Sequence, residues 1–164
     1  MSFASNRLST AEKKLLIYAP YLSPLGEIYP IFLDSSLVGV EFKKPHLKMH
    51  CVPNEFRQEL DAYFNGELKE FAQEVRFITG TLFEQKVWNS LRAIPYGETR
   101  SYKWLAADVG SPRGNRAVGR ALSKNPIPIV LACHRVIEST GKLGGYSSGV
   151  EIKRRLLAME FYNK

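Results

Sequence analysis

The sequence predicts an α/β protein in which a small N-terminal α/β domain with an antiparallel sheet precedes a mostly helical domain. The first third of the 164-residue chain contains three apolar runs rich in β-forming residues, with turn residues between them. The second half instead contains short segments with apolar residues at helical spacing, bounded by capping residues. Because this pattern changes near residue 79, we expect one domain over 1–78 and another over 79–164.

The sheet is predicted from the segment KKLLIYAPYLSPLGEIYPIFLDSSLVGVEFKK. Turn-forming residues at 24–26 and 34–36 divide this segment, so an antiparallel meander is the simplest arrangement. Three apolar residues then recur at helical spacing, namely Phe56, Leu60 and Tyr63. A helix over about residues 54–65 is therefore expected to cover the sheet.

Two short helices are predicted at the start of the second domain. Thr81 and Glu84 form a capping box before an apolar stripe, which indicates a helix over about 82–93. Ser101 is placed to cap a second helix, and Gly110 is placed to end it.

A third helix, within RGNRAVGRALSK, completes a predicted helix-turn-helix with the second one. Ser111 followed by Pro112 predicts its start. The packing face comprises Ala117, Val118, Ala121 and Leu122, and the adjacent cationic stripe comprises Arg113, Arg116, Arg120 and Lys124.

The charge of the chain favours a polyanionic partner. Lys and Arg outnumber Asp and Glu by 23 to 16, which gives a formal net charge of +7 and a pI near 9.5. Nucleic acid is the first partner to consider, since each neutralised phosphate releases counterions. By itself, the cationic stripe is better explained as a solvated helix face.

Cys133 follows the third helix, next to a short apolar run. Asn125 and the prolines after it end that helix, and residues 129–131 predict a short buried strand or extended segment. Cys133 then lies at the rim of the core. A cysteine in an apolar run is often inert, but His134 and Arg135 follow at once, and cations near a thiol favour the nucleophilic thiolate.

Glu160, on the last helix, is expected to be paired. The buried stripe of that helix is predicted from Ile152, Leu156 and Met159. Glu160 lies at the edge of this stripe, where an unpaired carboxylate would be costly. It can orient His134 in a Cys-His-Glu relay, or it can pair with Arg135 or a nearby lysine, and the spacing leaves both open.

The motif around Cys133 resembles that of a known family. NPIPIVLACHRVI, preceded by an RAVG helix and followed by GGYSSG and LLAME, is similar to the active-site region of the O6-alkylguanine-DNA alkyltransferases. The resemblance covers residues 82–160 closely and the first domain loosely, through SPLGEI and SLVGVEF. It implies repair by direct reversal, in which O6-alkylguanine is flipped out of duplex DNA and its alkyl group moves irreversibly to Cys133, once per molecule. Ala132 departs from the pattern, since the family usually has proline there.

The resemblance also implies roles at the reactive centre. His134 would be the base, acting through a water, and Glu160 would orient it. Tyr102 would donate a proton to the departing guanine and crowd a phosphate so that the base rotates out. The implied substrate-site residues are Asn125, which would brace the turn that carries the cysteine, Arg135, and Tyr146 with Ser147 in the loop that lines the pocket.

The implied partner is double-stranded DNA that contains O6-alkylguanine, bound through the minor groove. Arg116 would fill the place that the flipped base leaves, and the small residues Ala117 and Gly119 fit a close approach to the groove. The phosphates would be met by Arg113, Arg120 and Lys124. A monomer without a cofactor is expected.

Membrane, secretory and metal-dependent classes are not favoured. No apolar stretch approaches the roughly 18 residues of a membrane helix, and the start, MSFASNRLSTAEKK, lacks the core of a secretory signal. We therefore expect a cytoplasmic protein, nucleoid-associated if prokaryotic, with no membrane partner.

The sequence alone does not exclude one disulfide bond, between Cys51 and Cys133. His46, His50 and Cys51 are ligand types, but strand-edge side chains explain them better, and no metal is expected.

Two rival functions are weighed against alkyl transfer. A non-enzymatic damage sensor would flip the lesion and recruit other repair factors, but it would not need the thiol. A cysteine hydrolase would also use a cysteine and a histidine, yet its histidine would be remote in sequence and no oxyanion-hole signal is evident.

Overall fold

The computed structural model describes residues 9–164. The chain divides into two compact units, one that ends at Thr79 and one that runs from Gly80 to Lys164. Residues 1–8, the beginning of the segment considered above for a secretory signal, lie outside the described residues. No helix between residues 9 and 164 is both long and apolar enough to cross a lipid bilayer.

The first unit is built around one sheet. Its elements are α1 (Thr10–Leu15), β1 (Leu16–Tyr18), β2 (Tyr21–Ser23), β3 (Gly26–Leu33), β4 (Ser36–Glu41), β5 (Lys48–Met49) and α2 (Asn54–Phe64). Strand β3 pairs antiparallel with β2 through its first half, with β1 through its second half, and with β4. Asp34 turns the chain between β3 and β4 with φ 56°. The predicted antiparallel meander is confirmed for these strands.

Two features of the first unit differ from the prediction. Residues 13–15, which the sequence placed in the first strand run, belong to α1, because Ser9 and Glu12 form a capping box that starts a helix. Strand β5 pairs in parallel with β1, so the sheet is not purely antiparallel. A strand of two residues carries too little periodicity to be predicted from sequence.

Helix α2 has the apolar face that the sequence predicted. The buried residues of this face are Phe56, Leu60, Tyr63 and Phe64. Phe32 of β3 meets Phe56 edge to face, with ring centres 5.7 Å apart. Helix and sheet therefore share a core, in which each fully buried large apolar side chain stabilises the fold by about 1.5–3 kcal/mol.

The second unit is mostly helical. Its elements are α3 (Leu82–Ser90), a 3₁₀ turn (Leu91–Ala93), β6 (Arg100–Ser101), α4 (Tyr102–Asp108), α5 (Asn115–Ser123), a second 3₁₀ turn (Cys133–Arg135), β7 (Val136–Ile137) and α6 (Val150–Tyr162). Helices α3 and α5 pack together, and the Trp88 indole donates a 2.8 Å hydrogen bond to the Ala121 carbonyl. Parallel pairing of β6 with β7 brings the start of α4 next to β7, which directly follows the second 3₁₀ turn.

The predicted caps of α3 and α4 are confirmed. The Thr81 hydroxyl accepts from the Glu84 amide, and the Glu84 carboxylate accepts from the Thr81 amide. The Ser101 hydroxyl accepts from the Trp104 amide. Gly110 follows α4 with φ 73°, the left-handed conformation that commonly closes a helix.

The predicted start of the third helix is wrong. Helix α5 begins at Asn115, and the residues from Ser111 to Gly114 form a turn in which the Gly114 amide donates to the Ser111 carbonyl at 2.7 Å. The turn leaves no room for a side chain at Gly114, because a Cβ there would lie 2.4 Å from the Ser111 hydroxyl. Arg113 consequently lies in this turn and not on the helical stripe.

Candidate active site

Asn125 organises the segment that leads from α5 to Cys133. Its side-chain amide donates to the Leu131 carbonyl at 2.8 Å, and its Oδ1 accepts from the Ile127 amide at 3.1 Å. The Leu131 amide also donates to the Ile127 carbonyl at 2.9 Å. The segment is therefore a compact turn, and the predicted strand or extended segment at 129–131 is wrong. Prolines on both sides of Ile127 lack the amide donors that a strand ladder uses.

The backbone of this turn adopts two uncommon conformations. Ile129 has φ 75°, which a β-branched residue adopts only with strain, and its side chain is buried. Ala132 has φ −70° and ψ 62°, and the Cys133 amide donates to the Leu131 carbonyl at 2.7 Å. These values define an inverse γ-turn centred on Ala132. It places Cys133, which is 5% exposed, at the start of the second 3₁₀ turn.

Glu160 of α6 binds both residues that follow the cysteine. Its Oε1 lies 2.7 Å from Nε2 of His134. The Arg135 guanidinium donates to both carboxylate oxygens, from Nη2 at 3.0 Å and from Nε at 2.9 Å. The Gly97 amide adds a further hydrogen bond of 3.1 Å to Oε2. His134 and Arg135, two of the partners that the sequence left open for Glu160, are thus present together.

Burial and charge set the protonation states in this cluster. Burial opposes ionisation of Glu160, but the hydrogen bond from His134 and the Arg135 guanidinium outweigh it and hold the pKa of this carboxyl well below its usual value. Burial lowers the pKa of His134, so the imidazole is neutral at neutral pH. A neutral imidazole that donates from Nε2 to a carboxylate keeps its lone pair on Nδ1. This Nδ1 is buried and has no hydrogen-bond partner among the described residues.

Lys153 is a buried cation that the sequence analysis missed. Its Nζ faces three carbonyl oxygens, those of Val136 at 2.6 Å, Leu143 at 2.5 Å and Gly145 at 3.4 Å. The Nζ atom also lies 5.9 Å from the centre of the Tyr102 ring. Burial lowers the pKa of Lys153 to about 8, although the negative charge on a Cys133 thiolate would raise it.

The buried face of α6 explains why Lys153 was missed. The buried residues of the helix are Lys153, Leu156 and Glu160, whereas Ile152 and Met159 of the predicted stripe are only half-buried. The buried face of α6 is therefore rotated from the predicted stripe, so that it includes the charged residues Lys153 and Glu160. An apolar periodicity cannot reveal a buried lysine, whose partners here are backbone carbonyls from another part of the chain.

The environment of the thiol differs from the one that the sequence suggested. Burial raises the pKa of the Cys133 thiol, while the side chains of Asn125 and Tyr146 and the charge of Lys153 oppose this. His134 is neutral and Arg135 is bound to Glu160, so neither supplies the positive charge that the sequence analysis assigned to them. Lys153 is the cation that favours the thiolate.

Cys133 opens into a cavity of about 620 Å³. Six predicted site residues line it: Tyr102, Arg116, Gly119, Cys133, Tyr146 and Ser147. Six further residues that the sequence analysis did not assign to the pocket complete the lining: Asn115, Leu122, Ser123, Glu138, Gly144 and Gly145. Gly144 has φ 68°, and a Cβ there would lie 2.9 Å from the Tyr102 hydroxyl, so the close approach of this loop to α4 requires glycine. The volume suits a small organic group such as a base.

The remaining predicted residues lie outside the lining. Asn125, His134, Arg135 and Glu160 are buried. Ala117 and Arg120 belong to α5, Lys124 directly follows it, and Arg113 lies in the turn before it. Arg113 and Arg120 are exposed, whereas Lys124 donates to Glu84 at 2.7 Å and is partly neutralised.

The candidate ligands of the first unit are not arranged around an ion. His46, His50 and Cys51 are exposed. Within residues 9–164, no group of three or more His, Cys, Asp or Glu side chains has the arrangement of a metal site. Both Cys51 and Cys133 are free thiols, so the disulfide left open by the sequence is absent.

Both units match known domains. The DNA binding domain of 6-O-methylguanine DNA methyltransferase matches residues 82–161, and the ribonuclease-like domain of 6-O-methylguanine DNA methyltransferase matches residues 16–77. The chain is 45% identical over 155 residues to the methylated-DNA–protein-cysteine methyltransferase of Methanosarcina acetivorans, which covers 88% of this chain and 98% of that protein. It is 55% identical over 102 residues to the Mycobacterium leprae protein of the same name, over 62% of this chain and 61% of that protein.

The fold is also similar to that of a solved protein structure. The crystal structure of Mycobacterium tuberculosis OGT in complex with DNA superimposes with a TM-score of 0.85 at 40% identity. The match covers 90% of this chain and 94% of that one.

Proposed function

Because the chain belongs to the 6-O-methylguanine DNA methyltransferase family, we propose that it repairs O6-alkylguanine in DNA by transferring the alkyl group to Cys133. The observation that carries this proposal is the Cys133 thiol in a cavity wall, followed in the chain by a neutral, carboxylate-bound imidazole. A protein that only binds damaged DNA has no need of this pair.

The thiol is activated by His134. Nδ1 is the buried acceptor for the thiol proton, which it receives through a bridging water. The resulting imidazolium is stabilised by the Glu160 carboxylate, 2.7 Å from Nε2, which also selects the tautomer. The positive charge of Lys153 stabilises the thiolate at the same time.

The thiolate then displaces guanine at the alkyl carbon. A bond forms between this carbon and Sγ of Cys133, while the bond between the carbon and O6 breaks and its electron pair stays on the guanine. The guanine takes up one proton, for which the Tyr102 hydroxyl in the cavity wall is the donor. The proton that His134 removed from the thiol then passes to the Tyr102 oxygen, which restores the hydroxyl group. The products are unmodified guanine and an S-alkylcysteine.

The position of the thiol requires the base to leave the duplex. The alkyl carbon must reach a sulfur on a residue that is 5% exposed, which a base stacked in DNA cannot do. Helices α4 and α5 form the helix-turn-helix, and Ala117 and Gly119 allow α5 to approach a minor groove closely. Arg116, which lines the cavity, would occupy the gap that the flipped base leaves.

Phosphate contacts come from the exposed cations around α5. Arg113 in the turn and Arg120 on the helix are free to meet the DNA backbone. Lys124 contributes less, because its ammonium group is already bound to Glu84.

Each protein molecule acts once. A thioether is not returned to a thiolate by any group described above, so transfer inactivates the protein. The residues assigned to the chemistry and to DNA all belong to one unit of a single chain, so a monomer without a cofactor is sufficient.

The proposal is tested with a duplex that carries a radiolabelled methyl group on O6 of guanine. After incubation and denaturing electrophoresis, we expect at most one label per protein molecule, on Cys133. Cys133→Ala should bind the duplex and take up no label, whereas Cys51→Ala, the matched variant at the exposed thiol, should be labelled as the wild type is. Binding without labelling of the wild type would identify a damage sensor, and turnover beyond one equivalent would identify a catalyst of another kind.

A further inference from the structure

Glu138 contributes the only carboxylate among the described residues that line the cavity. It follows β7 directly, and its side chain is exposed. The Glu138 amide donates to the Lys142 carbonyl at 2.9 Å, the Gly141 amide donates to the Glu138 carbonyl at 2.9 Å, and the Thr140 hydroxyl donates to Oε2 at 3.2 Å. The backbone bonds fix the loop and the Thr140 hydroxyl holds one carboxylate oxygen, so a solvent-exposed carboxylate forms part of the cavity wall.

The charge of Glu138 acts inside the cavity. The pKa of the Tyr102 hydroxyl is raised by burial, by Cys133 and by the Glu138 carboxylate. The same carboxylate raises the pKa of Lys153, against the larger effect of burial. The Glu138 charge therefore reaches both the residue assigned as the proton donor and the cation that supports the thiolate.

Among the described residues, no cation forms an ion pair with the Glu138 carboxylate. Lys153 directs Nζ at three backbone carbonyl oxygens, so its donors are already used. Arg116 lines the cavity from α5, and no ion pair between it and Glu138 is present among the described residues. A substituent that extends from O6 along this wall of the cavity would approach the carboxylate of Glu138.

From this placement we propose that Glu138 is a specificity-determining residue, which disfavours O6 substituents that carry a negative charge relative to neutral substituents of the same size. The inference rests on the proposed alkyl transfer to Cys133. Like charges repel by an amount that depends on their distance and on the surrounding solvent, and the Glu138 side chain is exposed to solvent. A neutral alkyl group has no such penalty.

The test uses two nearly isosteric free bases, O6-carboxymethylguanine and O6-carbamoylmethylguanine, so that repulsion between the carboxymethyl group and DNA phosphates does not enter. The rate of S-alkylation of Cys133 is followed by intact-protein mass, and the ratio of the carbamoylmethyl rate to the carboxymethyl rate is compared between variants. In Glu138→Gln, we expect this ratio to fall about fivefold, the effect of one like charge about 4 Å away under water-like screening. Glu138→Asp, which keeps the charge, should retain most of the wild-type ratio.

A matched variant controls for net charge. Glu151→Gln removes an exposed carboxylate of α6, which is paired with Arg154 and does not line the cavity, and it should leave the ratio unchanged. The same ratio in the wild type and in Glu138→Gln would overturn the inference about Glu138 while leaving alkyl transfer intact. A wild type that alkylates Cys133 with neither base nor with methylated duplex would overturn the proposed function and the inference together.

Discussion

Nε2 of His134 lies 2.7 Å from Oε1 of Glu160, and neither side chain is exposed to solvent. This contact makes Glu160→Gln the sharpest test of the proposed activation. Glutamine can still accept a hydrogen bond from Nε2, but it cannot stabilise an imidazolium. We expect methyl transfer at neutral pH to slow about tenfold to hundredfold, and the apparent pKa of Cys133 to rise. The pH dependence of iodoacetamide labelling measures the pKa directly, and an unchanged profile would leave Glu160 as a structural partner of Arg135.

The same cluster predicts loss of stability in acid. The pKa of Glu160 is lowered on folding, so its contribution is present above the unfolded value, about 4.3, and is lost as the pH falls through the folded value. Burial lowers the pKa of His134, which makes the unfolded chain bind more protons below about pH 6.5. The melting temperature should therefore decline below about pH 6 and more steeply below about pH 4. Calorimetry across pH 3–7 checks this, and Glu160→Gln should decline less steeply below about pH 4.

Lys153 offers a test that separates charge from packing. Lys153→Met keeps a long side chain but removes the donor to three carbonyls and the charge that favours the thiolate. We expect transfer to slow at least about tenfold and the iodoacetamide profile of Cys133 to move to higher pH. Lys142→Met changes an exposed lysine near the same loop and should affect neither. A slower variant with an unshifted profile would assign Lys153 to loop packing alone.

Arg116→Ala distinguishes base flipping from chemistry. If Arg116 fills the gap left by the flipped base, its loss should slow repair of a methylated duplex by about tenfold or more, because unstacking costs a few kcal/mol. Reaction with free O6-benzylguanine involves no duplex and should change little. Single-turnover rates on the two substrates make the comparison, and equal slowing on both would place Arg116 in the chemistry or in folding.

The helices that the sequence predicts correctly depend on interactions between residues that are close together in the chain. The apolar stripe of α2, the capping box and apolar stripe of α3 and the Ser101 cap of α4 all depend on neighbouring residues, so the sequence predicts these helices well. The start of α5 was misplaced because the steric demand between Gly114 and Ser111 is visible only in three dimensions. The extended segment expected at 129–131 was wrong because the side chain of Asn125 binds the backbone of a turn instead.

The residues of the candidate site likewise divide into those that the sequence reveals and those that only the structure reveals. Cys133, His134 and Glu160 were found from their residue types and spacing, and the structure brings His134 and Glu160 into contact. Lys153 was missed because a lysine on a helix is normally solvated, and its carbonyl partners lie 8–17 residues away in sequence. Glu138 was missed because nothing in a loop sequence shows which side chains reach a cavity.

Ala132, where the chain departs from the family pattern, gives the last prediction. Its φ of −70° lies within the range of proline, and the inverse γ-turn uses the Cys133 amide and the Leu131 carbonyl, not the Ala132 amide. Ala132→Pro should therefore stabilise the protein by about 0.4–1 kcal/mol, because proline restricts the unfolded chain, and the transfer rate should be nearly unchanged. Thermal unfolding measures the change. A lower melting temperature would show that proline disturbs this turn, either at the Ala132 amide or through the restriction that proline places on Leu131.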